Sequence, residues 1–216
     1  MAHGYHGASE LPHALPLFPL TGALLLPRGA LPLNIFEPRY LAMVDHALSG
    51  DRLIGMIQPT EHEDTTLKPR LSRVGCAGRI TAYRETDDNR YLLTLTGICR
   101  FRLTGEMDGG TAWRAGTVDF APFAGADLMA PADEDFPRER LLKALKAYLS
   151  SRDMKADWNS VMSAPGEALV NALAMMCPFD PAEKQALLEA HGFQDRASTL
   201  MALLEMGSEA GPATVN

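Results

Sequence analysis

The sequence lacks an apolar segment long enough to span a membrane. Such a helix needs roughly 20 consecutive apolar residues, and the richest apolar stretch, residues 15–36, is interrupted by four prolines and an arginine. The N-terminus also lacks a basic cluster followed by an apolar segment, which is the pattern of a secretory signal. We therefore expect a cytoplasmic protein that does not enter a membrane.

Cysteine is scarce as well. The three cysteines, Cys76, Cys99 and Cys177, lie far apart and none belongs to a C-x-x-C pair. A disulfide framework or a structural zinc site is therefore not expected, and each thiol should pack as a small apolar side chain. His62 and Glu63 begin like a zinc-protease motif, but Thr66 stands where the second histidine ligand is required. Residues 61–64 could hold a metal ion weakly, and we interpret them instead as a solvated loop. We predict no metal site.

Lysine is rare, and none of the five lysines follows a glycine or precedes a serine or threonine. A P-loop needs its lysine directly after a glycine-rich turn, because the ammonium group must reach the phosphates. A Walker-type ATPase site is therefore excluded. The glycine patterns of nucleophile elbows and dinucleotide-binding loops are missing too. We predict no catalytic residues and no cofactor, and an unrecognised enzyme site in a cleft is the remaining alternative.

The net charge of −7 is distributed unevenly along the chain. Residues 1–125 carry 12 basic and 13 acidic side chains, whereas residues 126–216 carry 8 and 14 and have a net charge of −6. Proteins that bind nucleic acid normally have a basic excess that neutralises phosphates. The charge of the second part therefore disfavours a polyanionic partner.

From residue 11 to about 120 the chain has the period-two apolar pattern of β-strands. Between 99 and 104, apolar residues alternate with Arg100, Arg102 and Thr104. We expect a solvated face for Arg100 and Arg102, and contact of these arginines with a carboxylate or phosphate is the alternative. Turn residues at 87–89 and 109–110 predict two hairpins, and residues 53–58 predict a further short strand. Short strands joined by tight turns favour a small barrel, because closure removes exposed strand edges.

One helix is predicted inside this β-region. Pro38 suits a first helical position, and Gly50 suits a left-handed cap at the end. Four residues between them have the spacing of one helical face. They are Tyr40, Met43, Val44 and Ala47.

The apolar period changes to 3.6 residues beyond a segment rich in Pro, Gly, Ala and acidic residues at 121–136. Asp180 and Glu183 predict a capping box at the start of one helix. Three further helical stripes are Leu141, Leu142, Leu145 and Leu149; Leu169, Ala172, Leu173 and Met176; and Ala197, Leu200, Met201 and Leu204. Each stripe needs a partner surface, so the helices should pack on one another and on the strands.

Three segments resemble the N-terminal substrate-recognition domain of the Lon proteases. Residues 15–40 (LPLFPLTGALLLPRGALPLNIFEPRY) resemble the start of that domain, 96–101 (TGICRF) a later strand, and 178–189 (PFDPAEKQALLE) its helical end. The similarity covers roughly residues 11–206. It implies an α+β fold, with a PUA-like small β-barrel that has one inserted helix, followed by a C-terminal helical bundle. In full-length Lon proteases ATPase and peptidase domains follow, and here we expect a free-standing module.

The resemblance and the residue patterns together predict five segments. They are a disordered N-terminus at 1–10, a PUA-like β-barrel subdomain at 11–122, a linker at 123–136, a helical bundle at 137–206 and a tail at 207–216.

The function implied by the resemblance is non-catalytic recognition of unfolded or exposed polypeptide segments, with a protease as a further candidate partner. Candidate substrate-binding residues are Phe36, Arg39 and Tyr40 at the strand-to-helix junction, and Met176 and Met201 in the helical part, because flexible methionines suit promiscuous binding. Packing roles remain open for all five. We expect the site in the groove between barrel and bundle. The alternative is an RNA-binding module, because PUA-like barrels in other families bind RNA.

Overall fold

The period-two part of the chain forms a mixed β-sheet. The structure, a computed structural model, describes residues 4–60, 68–129 and 136–209. Within them the strands are β1 (Ala14–Pro19), β2 (Ala30–Ile35), β3 (Leu53–Pro59), β4 (Leu71–Glu85), β5 (Tyr91–Met107) and β6 (Arg114–Asp119). Both predicted hairpins are confirmed, since β5 pairs antiparallel with β4 and with β6. A left-handed residue, Asn89 or Gly110, lies in each turn.

The strand order is β2-β5-β4-β3-β1-β6, with an additional pairing between β5 and β6. The β1–β3 pair is parallel and the other pairs are antiparallel. Strand β5 is the longest, with 17 residues, and it contacts three neighbours: β4 along most of its length, β2 near its start and β6 near its end. Among the described strands, β2 pairs with β5 alone and so forms an edge of the sheet.

The predicted helix between β2 and β3 is α1 (Pro38–Leu48), and its four predicted apolar residues are all buried. The predicted cap at its end is wrong. Ser49 keeps a right-handed conformation, and the left-handed residue is Arg52, with φ 59°. The amides of Gly50 and Arg52 both donate to the Ala47 carbonyl, so the chain reverses two residues later than predicted, directly before β3.

The helices after the sheet are α2 (Ala121–Asp127), α3 (Arg138–Ser151), α4 (Trp158–Ser163), α5 (Gly166–Met176), α6 (Pro181–Glu189) and α7 (Phe193–Glu209). The linker predicted for 123–136 begins inside α2. That helix buries Phe123 and Asp127, so this segment starts as part of the packed structure. Likewise α7 continues past residue 206, into the segment predicted as a tail.

Two of the three predicted helical stripes are buried largely as expected, on α3 and α7, although Leu142 is only partly buried. The capping box of α6 is confirmed in both directions. The stripe on α5 is displaced, because that helix buries Leu169, Val170, Leu173 and Ala174 and exposes Met176. The sequence of α5 places apolar side chains on nearly all sides of the helix. For such a helix, periodicity alone does not predict which face is buried.

Residues 4–10, which belong to the segment predicted as a disordered N-terminus, include a helical turn and a contact with the sheet. A short 3-10 helix spans Ala8–Glu10. The Arg79 guanidinium lies 5.0 Å from the Tyr5 ring centroid and donates to the Tyr5 hydroxyl oxygen at 2.6 Å. A cation–π contact of this kind contributes about 0.5–1 kcal/mol at an exposed site, which helps to hold the segment on β4.

In the described part of the chain, no helix has both the length and the apolar content that crossing a bilayer requires.

Candidate functional site

A buried arginine on β5 joins the sheet to the helices. Arg100 is 0% exposed, which corrects the solvated face predicted for it. Its guanidinium forms a bidentate ion pair with the Asp127 carboxylate, with Nε–Oδ2 and Nη2–Oδ1 distances of 2.9 Å. The same carboxylate accepts from the Arg100 amide at 2.8 Å. The remaining donors meet main-chain carbonyl groups at the end of α6, those of Leu188, Ala190 and His191.

Arg100 is buried because α2 and the end of α6 cover the strand face that the alternation predicts to be solvated. A charge moved out of water is tolerated only when it is paired and its other donors are satisfied. Arg100 meets this condition through one carboxylate and three carbonyl groups. At Arg100 the alternation of polar and apolar residues along β5 therefore corresponds to two buried faces of the strand, one of them apolar and the other occupied by an ion pair.

A second buried arginine links three elements around α5. Arg196 of α7 is 2% exposed. Its Nη1 donates to Asn171 Oδ1 at 3.1 Å, and the Asn171 amide in turn donates to the Pro27 carbonyl at 3.2 Å. Burial lowers the pKa of Arg196 to about 10, which still leaves the guanidinium charged at neutral pH. This chain of contacts connects α7, α5 and the segment before β2.

Arg28 connects the segment before β2 to two helices. Its backbone is left-handed, with φ 65°, a conformation that is uncommon for a residue with a side chain. Its amide donates to the Gly97 carbonyl at 2.8 Å. Its guanidinium donates to the Asp127 carbonyl at 2.6 Å and forms an ion pair with the Glu167 carboxylate. The left-handed backbone is thus held by contacts with β5, α2 and α5.

Beside these contacts lies a groove of about 650 Å³ between residues 27–30 and α5, which we call the interface groove. Its lining is mainly apolar, and its charged side chains are Arg28 and Glu167, which neutralise each other. The lining residues are Pro27, Arg28, Gly29, Ala30, Pro165, Gly166, Glu167, Ala168, Asn171, Ala172, Met175 and Met176. Met176 is 80% exposed, so this wall presents a flexible apolar side chain to solvent.

The five predicted binding residues do not form one site. Met176 lines the interface groove, whereas Met201 is 2% exposed and lies in the core. Arg39 and Tyr40 line a second cavity of about 380 Å³. Most of the Tyr40 side chain is buried, with its ring centroid 4.4 Å from that of Phe18. Phe36 is 61% exposed and lies under the Arg90 guanidinium.

The three cysteine thiols are poorly suited to nucleophilic catalysis. The three thiols are buried, and desolvation raises the pKa of each of them, that of Cys177 to about 11. A thiol with a raised pKa is a poor nucleophile near neutral pH. Over residues 4–60, 68–129 and 136–209 no group of His, Cys, Asp and Glu is arranged to hold a metal ion. Residues 61–64, considered above for a metal, lie outside the described residues.

The comparisons with known proteins agree on one family. The model of the ATP-dependent protease La (LON) substrate-binding domain matches residues 14–206. The Lon protease 2 of Myxococcus xanthus is 24% identical over 219 residues, which is 95% of this chain and 25% of that protein. The Lon protease of Desulfosudis oleivorans is 32% identical over 95 residues, or 43% of this chain and 12% of that protein. The chain thus spans a quarter or less of the length of these two relatives.

Solved structures have the same fold. The Lon N-terminal domain protein from Xanthomonas campestris superposes with a TM-score of 0.62 at 22% identity, covering 88% of this chain and 97% of that one. The N-terminal domain of the Mycobacterium avium complex Lon protease gives 0.59 at 15% identity, covering 91% and 98%. The α+β arrangement of a mixed sheet and several helices is therefore shared with these domains.

Proposed function

The chain belongs to the Lon substrate-binding domain family, and from this premise we propose that it is a non-catalytic module that binds unfolded or exposed polypeptide segments in the interface groove. Substrate binding is the role that the family's description states. The observation that carries the assignment to this groove is its apolar lining, which ends in the exposed Met176. Unfolded segments expose apolar side chains, and a methionine-rich wall can adapt to side chains of different shape.

A role in binding, and not in cleavage or ATP hydrolysis, is supported by the sequence and by the buried thiols. The sequence contains no P-loop lysine. A module of this kind acts by holding a segment, and its partners are unfolded chains and a protease that receives them. We also propose a cytoplasmic location.

We further propose that the sheet is a closed PUA-like barrel formed by residues 11–122, and that residues 137–206 form a helical subdomain. The circuit of pairings supports closure: β5 pairs with β4, β4 with β3, β3 with β1, β1 with β6, and β6 again with β5. The interface groove then lies where the two subdomains meet, a common location for binding sites.

RNA binding, the alternative, has less support. The residues from 126 onward have a net charge of −6, and the two charged side chains in the groove are already paired. A polyanion needs unpaired cations along its path.

The test is a binding titration with fluorescein-labelled β-casein, an unfolded polypeptide, followed by fluorescence anisotropy. We expect binding that changes little with salt concentration. Met176→Asp places a charge on the groove wall and should weaken binding about tenfold, equivalent to about 1.4 kcal/mol. The matched control is Met206→Asp, because Met206 is also exposed, at 65%, but lies on α7 and lines no part of the groove.

Circular dichroism of both variants checks that they remain folded. Equal binding by the wild type and Met176→Asp contradicts the assignment to the groove. Binding of a labelled single-stranded RNA instead of casein, with strong salt dependence, favours the alternative function.

A further inference from the structure

The outer edge of β2 carries main-chain groups that pair with none of the six described strands. The Gly97 amide donates to the Gly29 carbonyl at 2.9 Å, and the register continues from Ala30 opposite Thr96 to Ile35 opposite Tyr91. In an antiparallel pair, alternate residues direct both main-chain groups to the partner strand. Residues 31, 33 and 35 therefore face β5, whereas the main-chain groups of Ala30, Pro32 and Asn34 face away from it.

Within the described ranges, no main-chain or side-chain group bonds to the outward-facing amide or carbonyl of Ala30. Ala30 is exposed and lines the interface groove. Further along the same edge, Pro32 has no N–H to donate, and proline on an edge strand limits pairing with other chains. The end of β2 at Ala30 is therefore the place where a free donor and a free acceptor adjoin the apolar groove.

We propose that the interface groove holds its polypeptide in an extended conformation, as a short strand added to the edge of β2 at Ala30. This inference rests on the proposed function and specifies its mode of recognition. Ala30 donates and accepts one main-chain hydrogen bond each, and the Pro32 carbonyl accepts another. Alternate side chains of the segment then point into the groove, towards Ala172 and Met176.

This mode suits an unfolded client. Main-chain groups are the same in every sequence, so strand addition provides affinity without a strict sequence requirement, and the groove selects for apolar side chains. A helical segment has its main-chain groups already paired and cannot add to a strand edge. The occupant is therefore an extended, apolar segment.

Charge further defines the occupant. The lining carries one ion pair, Arg28 with Glu167, and no unpaired charge, while the chain from residue 126 onward has a net charge of −6. Acid-rich segments are repelled, whereas neutral segments and those flanked by basic residues are favoured. The proposed occupant is thus an apolar, extended segment with neutral or basic flanks.

The test uses three labelled peptides in which leucine and serine alternate between two terminal lysines. One peptide is unmodified, one has every leucine nitrogen methylated, and one has every serine nitrogen methylated. Methylation removes the N–H, and the N–H groups that face β2 all belong to one of the two sets, whichever register the peptide adopts. We expect one methylated peptide to bind like the parent and the other to bind at least about tenfold more weakly, because it lacks the two N–H groups that donate to the carbonyl groups of Ala30 and Pro32.

The protein side of the test is Ala30→Pro, which removes the outward N–H, with Asn34→Pro as the control, because it removes an outward N–H of the same strand edge at a residue that does not line the groove. We expect several-fold weaker binding of the parent peptide by Ala30→Pro and near-normal binding by Asn34→Pro. If both methylated peptides bind alike while the parent binds, strand addition is wrong and the proposed function stands. If neither the parent peptide nor casein binds, both are wrong. Should Ala30→Pro fail to fold, the peptide comparison decides alone.

Discussion

The ion pair between Arg100 and Asp127 gives the most direct prediction about what joins the helices to the sheet. The change is Asp127→Ala, which removes the carboxylate that pairs with the guanidinium of Arg100. Arg100 is then left with a buried charge whose remaining partners are the carbonyl groups at the end of α6. The Arg100 amide also loses its acceptor.

The expected loss in the free energy of unfolding is about 3–5 kcal/mol, the range for removing one partner of a buried ion pair. Side chains in this pair are 0% and 4% exposed, so solvent does not screen the remaining charge. Replacing both partners, as Arg100→Met with Asp127→Leu, should recover much of this loss, because no buried charge then remains.

The assay is urea denaturation followed by circular dichroism, with the free energy extrapolated to water. The control is Glu205→Ala, which breaks the Arg140–Glu205 ion pair, whose side chains are 59% and 40% exposed. Exposed pairs contribute little, so its effect should be close to zero. A loss for Asp127→Ala as small as that of the control, or a double variant less stable than Asp127→Ala, refutes the reasoning.

Two other properties can be checked in the same way. Burial raises the pKa of the Cys177 thiol from 9.0 to about 11, so the unfolded state loses this proton at a lower pH than the folded state. The free energy of unfolding should therefore fall between pH 9 and 11 by roughly 2–3 kcal/mol. Cys177→Ala should reduce this fall. Gly97→Ala would place its new carbon 2.1 Å from the Leu26 carbonyl oxygen, so we expect a loss of at least about 2 kcal/mol in urea. Gly109→Ala, where nothing lies within 4 Å, should be nearly neutral, and equal effects of the two glycine variants contradict the packing described for β5.

Local patterns predicted the elements whose environment is set by neighbours in sequence. The turns of both hairpins, the apolar face of α1 and the capping box of α6 depend on residues at most a few positions apart, and all were predicted. Asp180 and Glu183, for example, bond to each other's amides at 2.9 and 2.8 Å. The sequence pattern that predicts this capping box spans only four residues.

The interface between sheet and helices could not be predicted in this way. Arg100 lies on a strand in which polar and apolar residues alternate, and its face is buried only because α2 and α6 pack on it. Its partner Asp127 is 27 positions away. A similar limit applies to the methionines: Met176 and Met201 both continue an apolar stripe, yet the first is 80% exposed and the second 2%. Which side of an apolar helix faces the core depends on its packing partners.

The central claim, that a polypeptide binds in the interface groove, is tested most directly by the methyl signals of the methionines. A protein labelled with ¹³C at the methionine methyl groups is titrated with unlabelled β-casein and followed by NMR, with assignments from single methionine substitutions. We predict that the signals of Met175 and Met176, which line the groove, shift first and most, while that of Met206 on α7 stays in place. Saturable binding that shifts Met206 and leaves Met175 and Met176 unchanged contradicts the claim.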